Sequence, residues 1–280
     1  MNSTVEQLGP QHGETLRKLL CRDAAQNMYL LGLFEEFGLV PGPGRAKFAF
    51  YGRFKEGQLN AVMFVGGDGG LVVPSGNDAA EVIALAEALG TKVKLKATIG
   101  DKATVDGMLR YLTSGEKPRL QRSQRLYSVS ADDLGPFTNP TLRLATDADF
   151  PGVLEMAAGW VKENLDRDAL AEDEQGFKAR VMQRIRGRRT YVLESSGKLV
   201  FKIDVGSRSM HGAELEGLYT IPEERRRGHA TLSLGQISRH LLSSLPRLTI
   251  RVDDLDASLA GCARKVGYLG QKNQRLVVME

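Results

Sequence analysis

The stretch from Pro222 to Ala230 reads PEERRRGHA and decides how the second half of the chain is interpreted. The run from Leu215 to Thr220 before it is typical of a strand, and the run from Ala230 to Leu242 after it is typical of a helix. A basic turn that contains a glycine therefore opens a helix directly after a strand. We call residues 222–230 the arginine loop.

A helix start of this kind favours a bound anion. Its first N–H groups have no partner within the helix, and the helix dipole adds positive charge there. Arg225, Arg226 and Arg227 bring further charge and paired donors suited to phosphate oxygens. Gly228 lets the main chain come close to a ligand. Because arginine is unfavourable at a positive helix end, we expect a compensating pyrophosphate; the alternative is a solvated basic surface.

The pattern Arg225-x-x-Gly228-x-Ala230 resembles the Q/R-x-x-G-x-G/A signature with which GNAT acetyltransferases bind acyl-coenzyme A. The preceding run LYTIPE, residues 218–223, is similar to the splayed fourth strand of that family and the Pro-Glu that ends it. Downstream, the β-rich run from Leu248 to Val252 and a helical stretch ending in KVGY, residues 265–268, are similar to the family's tail. The resemblance covers about residues 141–280.

The resemblance implies an α+β fold of the GNAT type, with a mixed, largely antiparallel central sheet flanked by helices. Prolines and a glycine between Asp132 and Pro140 mark a boundary, and the first half repeats the strand and helix order of the second. The chain thus resembles bacterial proteins with two tandem GNAT-like domains. We expect a degenerate domain over 1–135 and a GNAT acetyltransferase domain over 140–280. The stretch PSGND, residues 74–78, takes the position of the arginine loop in the first half, without an arginine.

The resemblance also implies which residues meet the co-substrate, acetyl-CoA. Main-chain groups of the fourth strand would contact the pantetheine, and the arginine loop would hold the pyrophosphate. His229 either donates to a phosphate or packs at the helix start, and an aspartate stands where the family has an asparagine. The residues expected at the coenzyme are Leu218, Tyr219, Thr220, Arg225, Arg226, Arg227, Gly228, His229, Ala230 and Asp256.

The implied reaction is direct attack of a primary amine on the thioester, which needs a base. Period-two alternation puts Glu214, Glu216 and Leu218 on one face of the strand and Tyr219 on the other. Glu216 is the first choice of base and Glu214 the second, although both would also suit a solvated strand. The tyrosine that serves as the family's acid falls on Ala263. Tyr268, like Tyr219, would replace it only if the fold aims it inward.

The composition of the chain limits the classes of protein to which it can belong. The 280 residues are 42% hydrophobic and 26% charged, which is typical of globular domains, and the two cysteines, Cys21 and Cys262, are far apart. We therefore expect a cytoplasmic protein without a metal site or membrane span, either a monomer or a homodimer. The net charge of +4 fits a small polyanion and disfavours nucleic acid.

Three functions remain open from the sequence. The first is an N-acetyltransferase with an unknown amine acceptor. The second is an acetyl-CoA-binding regulatory or sensor protein without turnover, for which the missing tyrosine argues. The third is transfer from an aminoacyl-tRNA, for which the two-domain layout and the arginines between 184 and 189 argue.

Overall fold

The computed structural model of the protein describes residues 3–42, 47–67 and 70–279. The chain forms two compact units. The first comprises Met1–Leu126, Arg251–Leu255 and Gln271–Glu280, and the second comprises Tyr127–Ile250 and Asp256–Gly270. Two short segments from the second half of the chain thus belong to the first unit. The predicted domains, 1–135 and 140–280, are consecutive segments of the chain.

The first half of the chain supplies six strands and four helices within the described residues. They are β1 (Ser3–Gln7), α1 (Gly13–Cys21), α2 (Met28–Phe37), β2 (Phe48–Lys55), β3 (Gln58–Gly66), β4 (Leu71–Gly76), α3 (Ala79–Leu89), β5 (Ala97–Asp101), α4 (Lys102–Leu112) and β6 (Leu120–Val129).

The second half repeats this order. Its elements are β7 (Arg143–Leu144), α5 (Phe150–Leu165), α6 (Ala169–Arg186), β8 (Thr190–Ser195), β9 (Lys198–Ser209), β10 (Gly212–Thr220), α7 (His229–Leu242), β11 (Leu248–Asp253), α8 (Ala257–Val266) and β12 (Leu269–Val278).

The sheet of the first unit runs in the order β1-β2-β3-β4-β5-β12. Its pairs are antiparallel except β4 with β5, which are parallel. β12 enters this sheet beside β5, from Gln274 opposite Asp101 to Val278 opposite Ala97. Two apolar clusters form the core of the unit. One contains α3 and α4, and the other contains α1 and α2.

The sheet of the second unit runs in the order β11-β10-β9-β8-β7, and again one pair, β10 with β11, is parallel. α5 and α6 pack on this sheet through Val153, Phe177, Val181 and Val192. Leu234 and Ile237 of α7 are also fully buried. The predicted α+β class with largely antiparallel sheets is confirmed.

Two local predictions in the first half were wrong. The stretch 74–78 was expected as a loop, but β4 continues through Pro74 to Gly76. The proline is tolerated because β4 pairs with β5 only at Val72 opposite Thr98, so the strand edge beyond that point needs no ladder donor. The alternating run from Val93 to Thr98 is typical of a strand, but β5 begins only at Ala97. Val93 is buried, but it lies in the segment that leads into the strand.

Candidate functional site

β10 and β11 run in parallel and separate part-way along their length. Their pairing covers Ala213 to Leu215 of β10 and stops there. β10 continues to Thr220 while it stays paired with β9 on its other edge. The edge of β10 beyond Leu215 therefore offers main-chain groups that this parallel ladder does not use. Leu218 and Thr220, which the sequence assigned to the coenzyme, lie in this stretch.

A β-bulge interrupts β10 directly after Glu216. Glu216 pairs with Asp204 of β9. Tyr219, three residues further on, pairs with Lys202, so the two residues in between face a single residue of β9. One of them, Gly217, has φ +60°, a left-handed conformation that glycine adopts without steric cost. The extra residue brings Tyr219 onto the face of Glu216, and the predicted uninterrupted alternation was wrong at this point.

A buried ion pair lies beside the bulge. Lys202 and Asp204 are only 2% and 5% exposed, and the ammonium lies 2.6 Å from the carboxylate Oδ2. The ammonium also donates to the carbonyl oxygen of Gly217 at 2.7 Å, and Thr190 donates to Oδ1 of Asp204 at 2.7 Å. Burial acts to raise the pKa of Asp204, but Lys202 and Arg184 outweigh it and lower that pKa. The carboxylate is therefore ionised at neutral pH.

Glu216 has an arginine partner and remains in reach of solvent. Its Oε1 lies 2.6 Å from Nη1 of Arg184 on α6, and its side chain is 30% exposed. The same guanidinium nitrogen lies 3.3 Å from Asp204, which joins Glu216 to the buried pair. Glu214, the second choice of base, is buried in the part of β10 that is paired on both edges. Of the two carboxylates, Glu216 is the one that a ligand at the separated strands can reach.

The arginine loop leads into a helix start without a side-chain cap. α7 begins at His229, preceded by Gly228 with φ +86° and no side-chain hydrogen bond to the first turn. A Cβ on Gly228 would meet nothing closer than Leu232 at 4.0 Å, so the backbone conformation, and not crowding, calls for glycine. The loop is exposed from Arg225 to Gly228. The first N–H groups of α7 therefore open onto an accessible surface.

Two of the three loop arginines are balanced by carboxylates of the protein. Arg225 donates to both oxygens of Glu163 on α5, at 2.8 and 2.9 Å, and Arg227 donates to both oxygens of Glu224 at 3.0 Å. His229 also contacts Glu224, at 3.2 Å. Part of the anionic compensation expected beside the three arginines is therefore supplied by the protein itself. Among the residues that the structure describes, Arg226 alone of the three lacks an acidic partner within 4.0 Å.

Arg225 also ties the loop to the end of β10. Its Nε donates to the carbonyl oxygen of Thr220 at 3.0 Å, and its guanidinium lies 5.3 Å from the ring centre of Tyr219. The Tyr219 hydroxyl donates to Glu163 at 3.1 Å. Burial and the neighbouring Glu163 carboxylate raise the pKa of Tyr219, so the phenol stays protonated at neutral pH.

Two side chains downstream of α7 that the sequence placed at the site, Tyr268 and Asp256, are hydrogen-bonded within the protein. Tyr268 is fully buried and shares a 2.8 Å hydrogen bond with Ser238, and burial raises its pKa. A phenol enclosed in this way does not reach a ligand, so Tyr268 does not meet the condition under which it would replace the missing acid. Ala263 is buried. Asp256 caps α8 by accepting from the N–H of Leu259 at 2.8 Å, which commits one carboxylate oxygen to the helix.

Sequence reasoning missed four charged residues of this region, namely Glu163, Arg184, Lys202 and Asp204. One signal was available. A lysine and an aspartate two residues apart in the apolar run from Leu199 to Val205 share one face of a strand. Charges at such positions are almost never buried unless they are paired. The contacts of Glu163 and Arg184 depend on helix packing, and no local pattern marks them.

The first unit has a similar strand arrangement with a different helix start. β4 and β5 are parallel and pair only at Val72 opposite Thr98. Asp78 then caps α3 by accepting from the N–H of Glu81 at 2.9 Å. The carboxylate occupies the end of the helix where a phosphate would have to bind.

The described residues also bear on two expected absences. They contain no cluster of three or more histidine, cysteine, aspartate or glutamate side chains arranged to hold a metal ion. None of the helices in the described ranges combines the length and apolar character that a membrane crossing requires.

The chain matches no protein-family model and no curated protein sequence. Solved structures do match it. A GNAT-family acetyltransferase from Colwellia psychrerythraea is 11% identical, with a TM-score of 0.59 over 99% of this chain and 100% of that chain. A tandem GNAT protein from the clavulanic acid biosynthesis pathway is also 11% identical, with a TM-score of 0.57 over 99% and 98%. A Drosophila protein is 15% identical, with a TM-score of 0.69 over 99% of both chains.

At these identities the likeness is one of fold. It covers both halves of the chain, and it agrees with the repeated order of strands and helices. The protein has the GNAT acetyltransferase fold in a tandem arrangement over nearly its whole length.

Proposed function

We propose that the protein is an acyl-CoA-dependent N-acetyltransferase that moves an acetyl group from acetyl-CoA to a primary amine. The observation that carries this proposal is the separation of β10 from β11 directly before the arginine loop and the uncapped start of α7. A strand edge with available amides beside a positive helix end suits a ligand with an amide-containing arm and a pyrophosphate.

The residues present fit such a ligand. Main-chain groups of Leu218, Tyr219 and Thr220 would pair with the pantetheine, and N–H groups from Gly228 to Ala230 would hold the pyrophosphate. Arg226 is the arginine best suited to a phosphate, because Arg225 and Arg227 already have carboxylate partners. We do not extend a coenzyme contact to Asp256, since its carboxylate caps α8.

Acetyl-CoA would supply an activated acyl thioester. The chain's own task is to deprotonate the amine and to stabilise negative charge on the acyl oxygen while the C–N bond forms and the C–S bond breaks. We assign Glu216 as the proton acceptor, directly or through one water, because Arg184 orients it and solvent reaches it. A main-chain N–H in the bulge, that of Leu218, would face the acyl oxygen. The departing thiolate would take its proton from solvent.

We further propose that only the second domain binds the coenzyme and that the first, over about residues 1–135, is a degenerate copy. The Asp78 cap at α3 supports this, because it places a carboxylate where the phosphate would bind. Pro74 supports it as well, because its nitrogen lacks the hydrogen that a pantetheine carbonyl would need.

A second candidate function is acetyl-CoA binding without turnover. It is favoured by the enclosure of Tyr268 and by the Arg184 contact, which already engages one carboxylate oxygen of Glu216. The third function, transfer from an aminoacyl-tRNA, has less support, because it was argued in part from the arginines between 184 and 189. Arg184 and Arg186 both pair with carboxylates of the protein, Arg186 with Asp147 at 2.9 Å.

Calorimetric titration with coenzyme A and a thiol-release assay over a panel of amines would test the proposal. We expect saturable binding, thioester turnover with at least one amine, and a loss of about 100-fold in turnover for Glu216→Gln. Glu194→Gln is the matched control, because Glu194 is also a strand glutamate paired with an arginine, Arg143. Binding with no turnover would favour the second function, and no binding at millimolar ligand would refute both.

A further inference from the structure

The ammonium of Lys202 and the N–H of Leu218 act on the same peptide group. The ammonium donates to the carbonyl oxygen of Gly217 at 2.7 Å. That carbonyl and the N–H of Leu218 belong to one planar amide, in which the nitrogen lone pair is delocalised onto the oxygen. A cation bonded to the oxygen increases this delocalisation and makes the N–H a stronger donor. Chained hydrogen bonds reinforce one another in this way where the local dielectric constant is low.

The position of this amide suggests what the contact between Lys202 and the Gly217 carbonyl does. It lies within the bulge and beyond the last β10–β11 pair. In the proposed function this is where a fixed donor must face the oxygen on which negative charge develops. Donors of this kind are effective when they are held in place before the reaction begins.

Stability alone does not account for the buried pair. Replacing a buried ion pair with well-packed apolar side chains is often neutral or stabilising. Here the pair is also fitted closely against the bulge. A Cβ on Gly217 would lie 2.6 Å from Oδ2 of Asp204 and 2.9 Å from Nζ of Lys202. The geometry therefore couples the ion pair to the conformation of a single peptide group.

We propose that Lys202 is a positioning residue for the reaction: its ammonium, held by Asp204, polarises the peptide group between Gly217 and Leu218 and so strengthens the Leu218 N–H as the donor to the acyl oxygen. The proposal rests on the proposed function. Lys202 touches no substrate in this scheme.

A spectroscopic test is possible without any ligand. Protein labelled with [1-13C]glycine and [15N]leucine gives carbonyl-to-amide NMR correlations only for Gly–Leu peptide bonds, and the sequence contains four, which begin at Gly32, Gly38, Gly70 and Gly217. Lys202→Met alone would leave Asp204 buried beside an apolar side chain, so the test variant is the neutral pair Lys202→Met/Asp204→Asn. We expect the 15N shift of Leu218 to move upfield in this variant and the other three signals to stay in place.

The kinetic test separates the reaction from binding. In the same variant we expect kcat to fall roughly tenfold, with KM for acetyl-CoA and Kd for coenzyme A unchanged within about twofold. The fall should be smaller than the ~100-fold or greater loss that follows removal of a whole oxyanion donor, because the N–H remains in place. Thr190→Val is the control. It removes the other hydrogen bond of Asp204 and leaves the Lys202 contact with Gly217, so the Leu218 shift should not move.

The outcomes are distinct. An unchanged Leu218 15N shift in the neutral pair overturns the proposal whether or not the protein is an enzyme. A moved shift with unchanged kcat, or with kcat and coenzyme affinity falling together, overturns the role in the reaction. A moved shift in a protein that turns over no thioester refutes the proposed function and leaves the polarised amide established. If the Met/Asn pair does not fold, Lys202→Gln/Asp204→Asn removes both charges with polar side chains, and the Leu218 15N shift is expected to move in the same direction.

Discussion

Replacing Gly217 with alanine should destabilise the second unit more than the same change at Gly197, another left-handed glycine of that unit. An alanine at φ +60° costs about 1–2 kcal/mol in strain. The new Cβ would also lie 2.6 Å and 2.9 Å from the charged atoms of Asp204 and Lys202. Both distances are too short for packing, so either the ion pair must separate or the bulge must flatten.

The second effect is the larger one. Breaking a buried ion pair by removing one partner costs about 3–5 kcal/mol, and we take a displaced pair to cost about half of that. The sum for Gly217→Ala is therefore about 2.5–4.5 kcal/mol. Gly197→Ala provides the matched control, because Gly197 has φ +77° in the β8–β9 turn and a Cβ there would meet nothing within 4 Å. Strain alone should cost that variant the same ~1–2 kcal/mol, so the displaced ion pair is the difference between the two variants.

Urea unfolding followed by tryptophan fluorescence measures this difference directly. Trp160 is the one tryptophan of the chain, and it lies half-buried on α5 of the second unit. The fluorescence transition therefore reports on the unit that contains the bulge. If the unfolding free energies of Gly217→Ala and Gly197→Ala agree within about 0.5 kcal/mol, the ion pair moves away from the new Cβ at no measurable cost. That result would refute the claim that the pair is packed closely against the bulge.

Three further predictions concern the arginine loop, an ion pair of the first unit and the enclosed tyrosine of the second unit. Arg226→Ala should weaken coenzyme A binding about tenfold in calorimetry, and Arg227→Ala should weaken it less, because its guanidinium is already paired with Glu224. The Arg275 guanidinium lowers the pKa of Asp106, so the pair contributes stability that is full above the ordinary pKa of about 4 and is lost as the pH falls towards the lowered value. The melting temperatures of wild type and Asp106→Asn should therefore differ at pH 7 and converge in acid. Tyr268→Phe should cost about 1 kcal/mol of unfolding free energy through its lost hydrogen bond and leave turnover unchanged, and a large fall in kcat would restore Tyr268 as the acid.

The arginine loop was predictable because its signals are local. A β-rich run, a proline, a glycine and an apolar helical period fix the strand, the turn and the helix within a few residues. The predicted helix start at Ala230 lies one residue after the observed start at His229. The sequence also allows one to predict that α3 has a side-chain cap and α7 has none. Aspartate at position 78 caps a helix, whereas glycine at position 228 allows a left-handed turn but has no side chain to cap with.

Other features depend on contacts between residues that are distant in sequence. Gly217 offered no local reason to expect a bulge, because only the registers of Glu216 and Tyr219 on β9 reveal the extra residue. The entry of β12 into the sheet of the first unit is likewise set by pairing with β5, about 170 residues earlier. The partner of Arg225 was hidden for the same reason, since Glu163 lies on a helix whose packing the sequence does not encode locally.

The contrast between the two helix starts also explains why carboxylates pair with arginines of the arginine loop. In the first unit Asp78 satisfies the start of α3 with a group of its own, a cap that stabilises a helix by about 1 kcal/mol. In the second unit Glu224 is near enough to affect the start of α7, yet Arg227 and His229 hold its oxygens. Glu163 holds Arg225 in the same way. These pairs limit the repulsion among the arginines without capping the helix, so the start of α7 stays without a side-chain cap, as the proposed coenzyme site requires.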